Sequence, residues 1–201
     1  MTQSMDEVAV VIEPMRLEDL DEVAALDAAV SNPVWSREMF ESELTSNQFA
    51  GFLVARVLHV GALHDEAVQG KPVRQTLNPQ ELRFEIGNTP APSATGTRVV
   101  CGYIGFWIVF EELHVLNVAV HPDWRRRGVA TRLVHTVFEM AIAKGVIRAL
   151  LEVRASNLPA QQLYARFGFQ AIARRSGYYT QPSEEALIMA RDGVGGDAIY
   201  Q

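Results

Sequence analysis

Apolar positions along the chain alternate between strand-like runs and helical stripes. Val8 to Ile12 predicts a first strand. Leu17 to Val30 predicts a helix, with Leu20, Val23, Leu26 and Val30 on one stripe and Asp19, Asp21 and Glu22 in its acidic first turns. Ser36 is placed to cap a second helix that carries Glu38 and Glu41 early and Met39, Phe40 and Leu44 as apolar positions. Phe49 to Val60 and Val99 to Phe110 are rich in branched and aromatic residues and predict strands, and Glu111-Glu112 marks a hairpin before a return strand from His114 to Val120. After Gly128 the period turns helical, with Ala130, Leu133, Val137 and Ala141 on the stripe and Arg132, His135, Thr136 and Glu139 off it; this helix runs to about Lys144 and stops at Gly145. Arg148 to Arg154 predicts a strand. Ser156-Asn157 opens a further helix, with Pro159 in its first turn, the stripe Ala160, Leu163, Tyr164 and Phe167, and Gly168 at its end. Phe169 to Tyr179 and Glu185 to Met189 predict two last strands, joined around Thr180 to Ser183. Strand, two helices, three strands, helix, strand, helix, two strands: this order predicts an α/β fold (an α+β mixed sheet) with helices on both faces.

Gly61 to Arg98 breaks the pattern. Pro72, Pro79, Pro90 and Pro92 occur there with Gly70, Gly87, Asn78, Asn88 and Gly96, and only Glu81 to Ile86 alternates as a strand would. The stretch holds too few large apolar residues for a core of its own. It is expected to be an insertion at about 61–98 within a single domain spanning 1–201, with a Gly-rich, flexible tail at 192–201. A length of 201 residues supports a substantial core without staples.

The net charge of −6 argues against a general nucleic-acid coat, so the cluster Arg125-Arg126-Arg127 is a local feature on an acidic background. Cys101 is the only cysteine; it lies in an apolar run, which predicts a buried, inert thiol and fits a reducing, cytoplasmic setting. No apolar run reaches the ~18–20 residues of a membrane span, and the acidic start Met5-Asp6-Glu7 is unlike a signal peptide. The five histidines show no metal spacing, so no metal and no membrane partner are expected.

Candidate chemistry begins where the apolar run Val118-Ala119-Val120 passes His121-Pro122 and the three arginines, then becomes a helix. A strand, a basic Gly-containing turn and a helix N-terminus make an anion site, because first-turn N–H groups are unpaired and glycine permits close approach. Read by themselves, the arginines could equally be a solvated surface patch. Glu152 stands in the apolar context Ala149-Leu150-Leu151-Glu152-Val153, either paired with Arg154 on the same face of the strand or poised as a base. Tyr164 sits on a helix stripe, where a tyrosine is usually core with a hydrogen-bonded tip. Asn157 suits a plain N-cap, and Tyr178-Tyr179 in a strand would place one ring on each face.

Two stretches carry a resemblance. Arg125-Arg126-Arg127-Gly128-Val129-Ala130 resembles the Q/R-x-x-G-x-G/A loop of the GCN5-related N-acetyltransferase (GNAT) superfamily. Leu151-Glu152-Val153-Arg154-Ala155-Ser156-Asn157, then Ala160, Leu163-Tyr164 and Gly168-Phe169, is similar to the ribosomal-protein alanine N-acetyltransferases (RimI type). Arg174 to Tyr179, Ala186 to Met189 and Pro33-Val34-Trp35-Ser36 add to it. The departures are the insertion and Thr180-Gln181 in place of the usual proline after the tyrosine pair.

The resemblance implies a splayed central sheet flanked by helices and acetyl-CoA as cosubstrate. It implies that Arg126, Arg127, Gly128, Val129, Ala130 and Thr131 hold the pyrophosphate, that Val118, Ala119 and Val120 pair with the pantetheine arm, and that Asn157 contacts the coenzyme. It further implies Glu152 as general base, Tyr164 as general acid, and Tyr178 and Tyr179 as walls of the acceptor slot. The implied partner is a protein N-terminus, that of a ribosomal protein in the first place, with direct attack in a ternary complex. An α-amine of pKa ~7.7–8.0 is partly neutral near pH 7, against roughly one part in a thousand for a lysine of pKa ~10.4, so one glutamate suffices as base for an N-terminal acceptor. Lysine or small-amine acceptors, or a non-catalytic acyl-CoA sensor, are the alternatives; the presence of both Glu152 and Tyr164 counts against the sensor.

Overall fold

The computed structural model describes residues 8–59 and 99–195. The insertion at about 61–98 with its possible strand Glu81 to Ile86, Val60, the acidic N-terminus and residues 196–201 of the tail lie outside the described residues.

The elements in chain order are β1 (Val8–Pro14), a 3-10 turn (Leu17–Asp19), α1 (Leu20–Val30), α2 (Arg37–Ser46), β2 (Ala50–His59), β3 (Val99–Val109), β4 (Glu112–Val120), a 3-10 turn (Pro122–Trp124), α3 (Val129–Ala143), β5 (Arg148–Arg154), α4 (Leu158–Arg166), β6 (Gln170–Thr180) and β7 (Ser183–Asp192). The strands form one sheet in the order β1-β2-β3-β4-β5-β7-β6. Every neighbouring pair is antiparallel except β4 with β5. The mixed sheet expected from the sequence is therefore present.

Alternation along β2 shows how the sheet serves two cores. Leu53, Ala55 and Val57 face the cluster that holds Leu133, Val134, Val137, Phe138 and Ala141 of α3 and Tyr164 and Phe167 near α4. Phe52 and Val54 face the other cluster, which holds Leu20, Val23 and Leu26 of α1 and Phe40 of α2. Three polar ties, buried or half-buried, hold this second layer. The Arg56 guanidinium pairs with Glu13 and Asp19. Asp27 accepts from the Trp35 N–H at 2.6 Å and from the Tyr103 hydroxyl at 2.5 Å. Glu22 accepts from the Val100 N–H at 2.7 Å. Cys101 is buried, and burial pushes its thiol up to about 11, in keeping with an inert role.

Several boundaries differ from expectation for identifiable reasons. The first helix opens as a 3-10 turn because the Asp19 carboxylate accepts from the Arg16 N–H at 2.8 Å. The hairpin turns at Phe110, in the left-handed region at φ 52°, and β4 already begins at Glu112, which pairs with Val109 on one side and Arg148 on the other. Thr136, placed off the stripe of α3, is buried; its hydroxyl is satisfied by the Arg132 carbonyl at 3.0 Å. β7 extends to Asp192 through pairing with Arg148. Beyond it Val194 is fully buried with its N–H on the Ile147 carbonyl at 3.1 Å, so the start of the Gly-rich tail is packed rather than loose.

β2 and β3 are locked by two reciprocal glycine–phenylalanine pairs. Gly51 lies opposite Phe106 and Gly105 opposite Phe52. A Cβ on Gly51 would meet the Phe106 ring at 2.4 Å, and one on Gly105 would meet the Phe52 ring at 2.6 Å. Each ring occupies the space its partner lacks. Gly105→Ala is therefore expected to destabilise the protein by about 1–3 kcal/mol through overpacking, read as a lower urea midpoint with an unchanged denaturant slope.

Candidate active site

β4 and β5 pair only from Glu112–Arg148 to Val115–Leu151. Leu116 is then an unpaired bulge against β3, with Gly105 opposite Asn117 and Phe106 opposite Val115. Beyond it β4 stays with β3 as far as Val120, and β5 stays with β7 as far as Arg154. The two strands part, and a cleft of about 710 Å³ opens where they do. The ladder fixes what faces the opening. The His121 N–H bonds the Cys101 carbonyl at 2.9 Å, so alternation turns the N–H and C=O of Val118 and Val120 away from β3 and toward the gap, while Ala119 bonds β3.

Past β4 the chain turns into α3. Arg126 has φ 61° and Gly128 φ 80°; such alternation of hand turns successive amides the same way, and glycine takes it without the Cβ penalty that Arg126 bears. Among the described residues no side chain caps α3, whose N-cap is Gly128. Its first intrahelical bond is Arg132 N–H to the Gly128 carbonyl at 3.0 Å, leaving the N–H groups of Val129, Ala130 and Thr131 ahead of the ladder. Gly102 lets the layers close here, since a Cβ on it would lie 2.9 Å from the Ala119 carbonyl and 3.1 Å from Val129 Cγ1. The arginine side chains are exposed; Arg125 Nε donates to the Val120 carbonyl at 3.1 Å and Arg127 stacks on Trp124 at 5.0 Å. The basic surface turn and the amide-lined turn are thus one and the same segment.

Alternation in β5 buries Ala149, Leu151 and Val153 and leaves Leu150, Glu152 and Arg154 on the cleft side. Glu152 does not pair with Arg154. Its carboxylate pairs with Arg175 at 2.8 Å, whereas Arg154 pairs with Glu184 at 3.1 Å. The register explains the exchange: Arg154, Ala186 and Arg175 lie in one row across β5, β7 and β6, and the small Ala186 lets Arg175 reach across to Glu152.

Tyr164 is buried on α4, edge-on to Phe169 with ring centroids 5.8 Å apart, yet it lines the cleft. Among the described residues no hydrogen bond to its hydroxyl is formed, and burial, then the neighbouring Tyr179, pushes its phenol pKa upward. Asn157 fills both roles open to it: its Oδ1 accepts from the Ala160 N–H at 3.2 Å, capping α4, and it lines the cleft.

Tyr178 and Tyr179 both line the cleft, contrary to simple alternation. The register slips between Arg175 and Tyr179, and Gly177 has φ 63°, so the bulge brings both rings to one side, 5.0 Å apart and nearly perpendicular. A hydrogen bond to Glu152, followed by burial, pushes the Tyr178 phenol up to about 12.

Four contributions escaped sequence reasoning. Arg175 touches the candidate base through a register that local pattern does not reveal. Arg154 binds loops distant in sequence. Trp35 and His114 also line the cleft. His114 lies 3.2 Å from Glu112, and Trp35 Nε1 reaches the Asn117 amide oxygen at 3.2 Å in the amide orientation its neighbours require. The proline–tryptophan–serine stretch was the one available signal for Trp35.

A strand edge facing a gap, a helix start without a cap and a carboxylate near a phenol meet the needs of an enzyme that moves an acyl group onto an amine. Comparison with known proteins narrows that class. The model of the acetyltransferase (GNAT) family matches residues 63–169. A Bacillus subtilis (strain 168) protein, provisionally named a [ribosomal protein bS18]-alanine N-acetyltransferase, is 31% identical over 175 residues, 87% of this chain and 90% of that protein. Among solved structures, the ribosomal-protein-S18-alanine N-acetyltransferase of Escherichia coli superposes with a TM-score of 0.66 at 22% identity, covering 94% of this chain and 97% of that one. NAA60 of Arabidopsis thaliana in complex with acetyl-CoA gives a TM-score of 0.66 at 16% identity, covering 92% and 98%. The chain belongs to the acetyltransferase (GNAT) family, and it is an N-acetyltransferase.

All four described tyrosines, Tyr103, Tyr164, Tyr178 and Tyr179, have raised pKa values. A folded pKa above the unfolded value near 10 means the native chain keeps protons that the unfolded chain has lost. Their contribution to stability is therefore whole below about pH 10 and declines as pH rises through the folded values. Absorbance titration between about pH 9.5 and 11 is expected to show less tyrosinate in the native than in the urea-unfolded chain, with stability falling over the same window.

Proposed function

We propose that the protein transfers the acetyl group of acetyl-CoA to the N-terminal α-amine of a protein, a ribosomal protein in the first place. The observation that carries this reading is the parting of β4 from β5, which puts the inward-facing groups of Val118 and Val120 in one cleft with Glu152, Tyr164 and the tyrosine pair. The names of its similar proteins support the acceptor, and the acetyl-CoA complex of a structural neighbour supports the cosubstrate.

The residues present fit the coenzyme. The N–H groups from Arg126 to Thr131 would take the pyrophosphate, with Arg126 and Arg127 adding positive charge. Val118 and Val120 would bond the amides of the pantetheine arm as a strand bonds a neighbour, with Ala119 between them, and Asn157 would contact the arm from the start of α4. When bound, acetyl-CoA supplies an activated acetyl thioester.

Glu152 takes the proton that the acceptor nitrogen must lose, directly or through a water, and Arg175 with Tyr178 orients its carboxylate. Tyr164 keeps its proton at any working pH, as a proton donor must, and delivers it from its hydroxyl to the departing sulfur. The same burial that raises the phenol also raises the proton affinity of a thiolate beside it, so the transfer is not made steeply uphill. Tyr178 and Tyr179 wall the acceptor. No covalent enzyme intermediate is needed, since the cleft brings amine and acyl group together in a ternary complex.

Incubation with acetyl-CoA and a peptide beginning with alanine is expected to release free thiol and to add one acetyl group at the α-amine. Tyr164→Phe and Glu152→Gln are each expected to lower kcat by about 10²-fold or more, the scale of general acid–base catalysis. Equal turnover of an N-blocked, lysine-containing peptide would transfer the assignment to lysine acceptors. Coenzyme binding without turnover of any amine would make the protein a sensor.

A further inference from the structure

Arg154 stands two residues after Glu152 on the cleft face of β5, and its side chain is only 15% exposed. Each of its nitrogens is engaged. Nε donates to the Asn32 carbonyl at 3.0 Å, Nη2 to the Gln181 carbonyl at 3.1 Å, and Nη1 to Glu184 Oε2 at 3.1 Å and the Pro182 carbonyl at 3.4 Å. The guanidinium also lies 4.0 Å above the Tyr179 ring. Asn32 Nδ2 completes the bridge with a bond of 2.5 Å to the Gln181 carbonyl, and Glu184 receives the Ser156 hydroxyl at 3.1 Å.

These bonds join three segments: the link between α1 and α2, the turn between β6 and β7, and the junction of β5 with α4. Among the described residues, the hydrogen bonds between the α1–α2 link and the β6–β7 turn are those made through Arg154 and Asn32. Ser31, Asn32, Pro33, Tyr178 and Tyr179 line the cleft, so the bridge crosses its acceptor side. A salt bridge that served stability alone would need only Glu184. Three backbone carbonyls from two loops are met instead, by a planar fork with donors in fixed directions that an ammonium cannot reproduce.

We propose that Arg154 is a positioning residue for the acceptor: a clasp that fixes the two loops and the face of Tyr179 as one preformed wall. The inference rests on the N-terminal acceptor reading above. Without the clasp, the acceptor must order the loops as it binds, and the loss falls on acceptor affinity. The main part of the coenzyme side, built from β4 and the start of α3, lies outside the clasp, and Asn157 keeps its cap on α4 through its own side chain.

Arg154→Lys keeps a cation opposite Glu184 and removes the bridge. The expected result is a KM for an alanine-initiated peptide raised about tenfold or more, with kcat changed less than about threefold. Calorimetric affinity for acetyl-CoA and the melting temperature are expected to stay near wild type. Asn32→Ala, which removes one rung and leaves Arg154, is expected to shift KM in the same direction by a smaller factor and serves as the test if Arg154→Lys folds poorly. An unchanged peptide KM in both variants overturns the clasp, as does an equal loss of peptide and coenzyme affinity together with a lower melting temperature. The wild-type reaction separates the two claims: no acetylation of the peptide by wild type refutes the acceptor reading, whereas wild-type turnover with an unaltered variant KM refutes the clasp alone.

Discussion

Backbone N–H and C=O groups inside a sheet require partners, and the inner edges of β4 and β5 beyond Val115 and Leu151 do not supply each other with any. Each strand is instead anchored on its outer side, β4 by β3 and β5 by β7, so the gap is held open by two complete ladders. The bulge at Leu116 sets where the parting starts. Everything proposed for the site follows from this arrangement. An extended ligand carrying amides can complete a ladder that the protein leaves unfinished, with the uncapped start of α3 at one end and the carboxylate and phenol within reach of the same opening.

The two helical layers divide the labour. α3 and α4 pack on one face, where Phe138 touches both Phe167 and Phe169, with centroids 5.7 Å apart in each pair, and this cluster seats Tyr164. α1 and α2 pack on the other and cover the β2 and β3 side of the sheet. Asp27 ties that layer to Tyr103 in β3 and to the Trp35 backbone, so the loop between α1 and α2 that lines the cleft is pinned to the sheet by a buried carboxylate. The site is thereby assembled from rigid strands and from loops fixed by charge-assisted hydrogen bonds.

The elements were largely readable from the chain because period separates helix from strand: the stripes of α1, α3 and α4 and the runs of β2 and β3 stand out without knowledge of what they pack against. Gly128, Gly145 and Gly168 all adopt positive φ at helix boundaries, where residue type alone is informative. What escaped was whatever depends on register. Val115 and Leu116 look alike in sequence, yet one pairs across the sheet and the other is the bulge. Arg154 is the nearer cation to Glu152 along the chain, but Arg175 is the nearer in space because Ala186 lies between strands. Val194 sits in a Gly-rich stretch and looks loose, though it fills a core position.

Gly177 has a wider consequence. It lies in the slipped register of β6, which among the described residues is an edge strand of the sheet, and its left-handed backbone decides that two adjacent tyrosines present themselves to the same side. A change of one residue in the length of this segment would rotate the two rings by half a pleat while leaving the inner strands, the helix start, Glu152 and Tyr164 where they are. On the acceptor reading proposed above, preference in such a scaffold can diverge by insertion and deletion at the sheet margin, a route that leaves the rest of the cleft intact and does not require either tyrosine to be replaced.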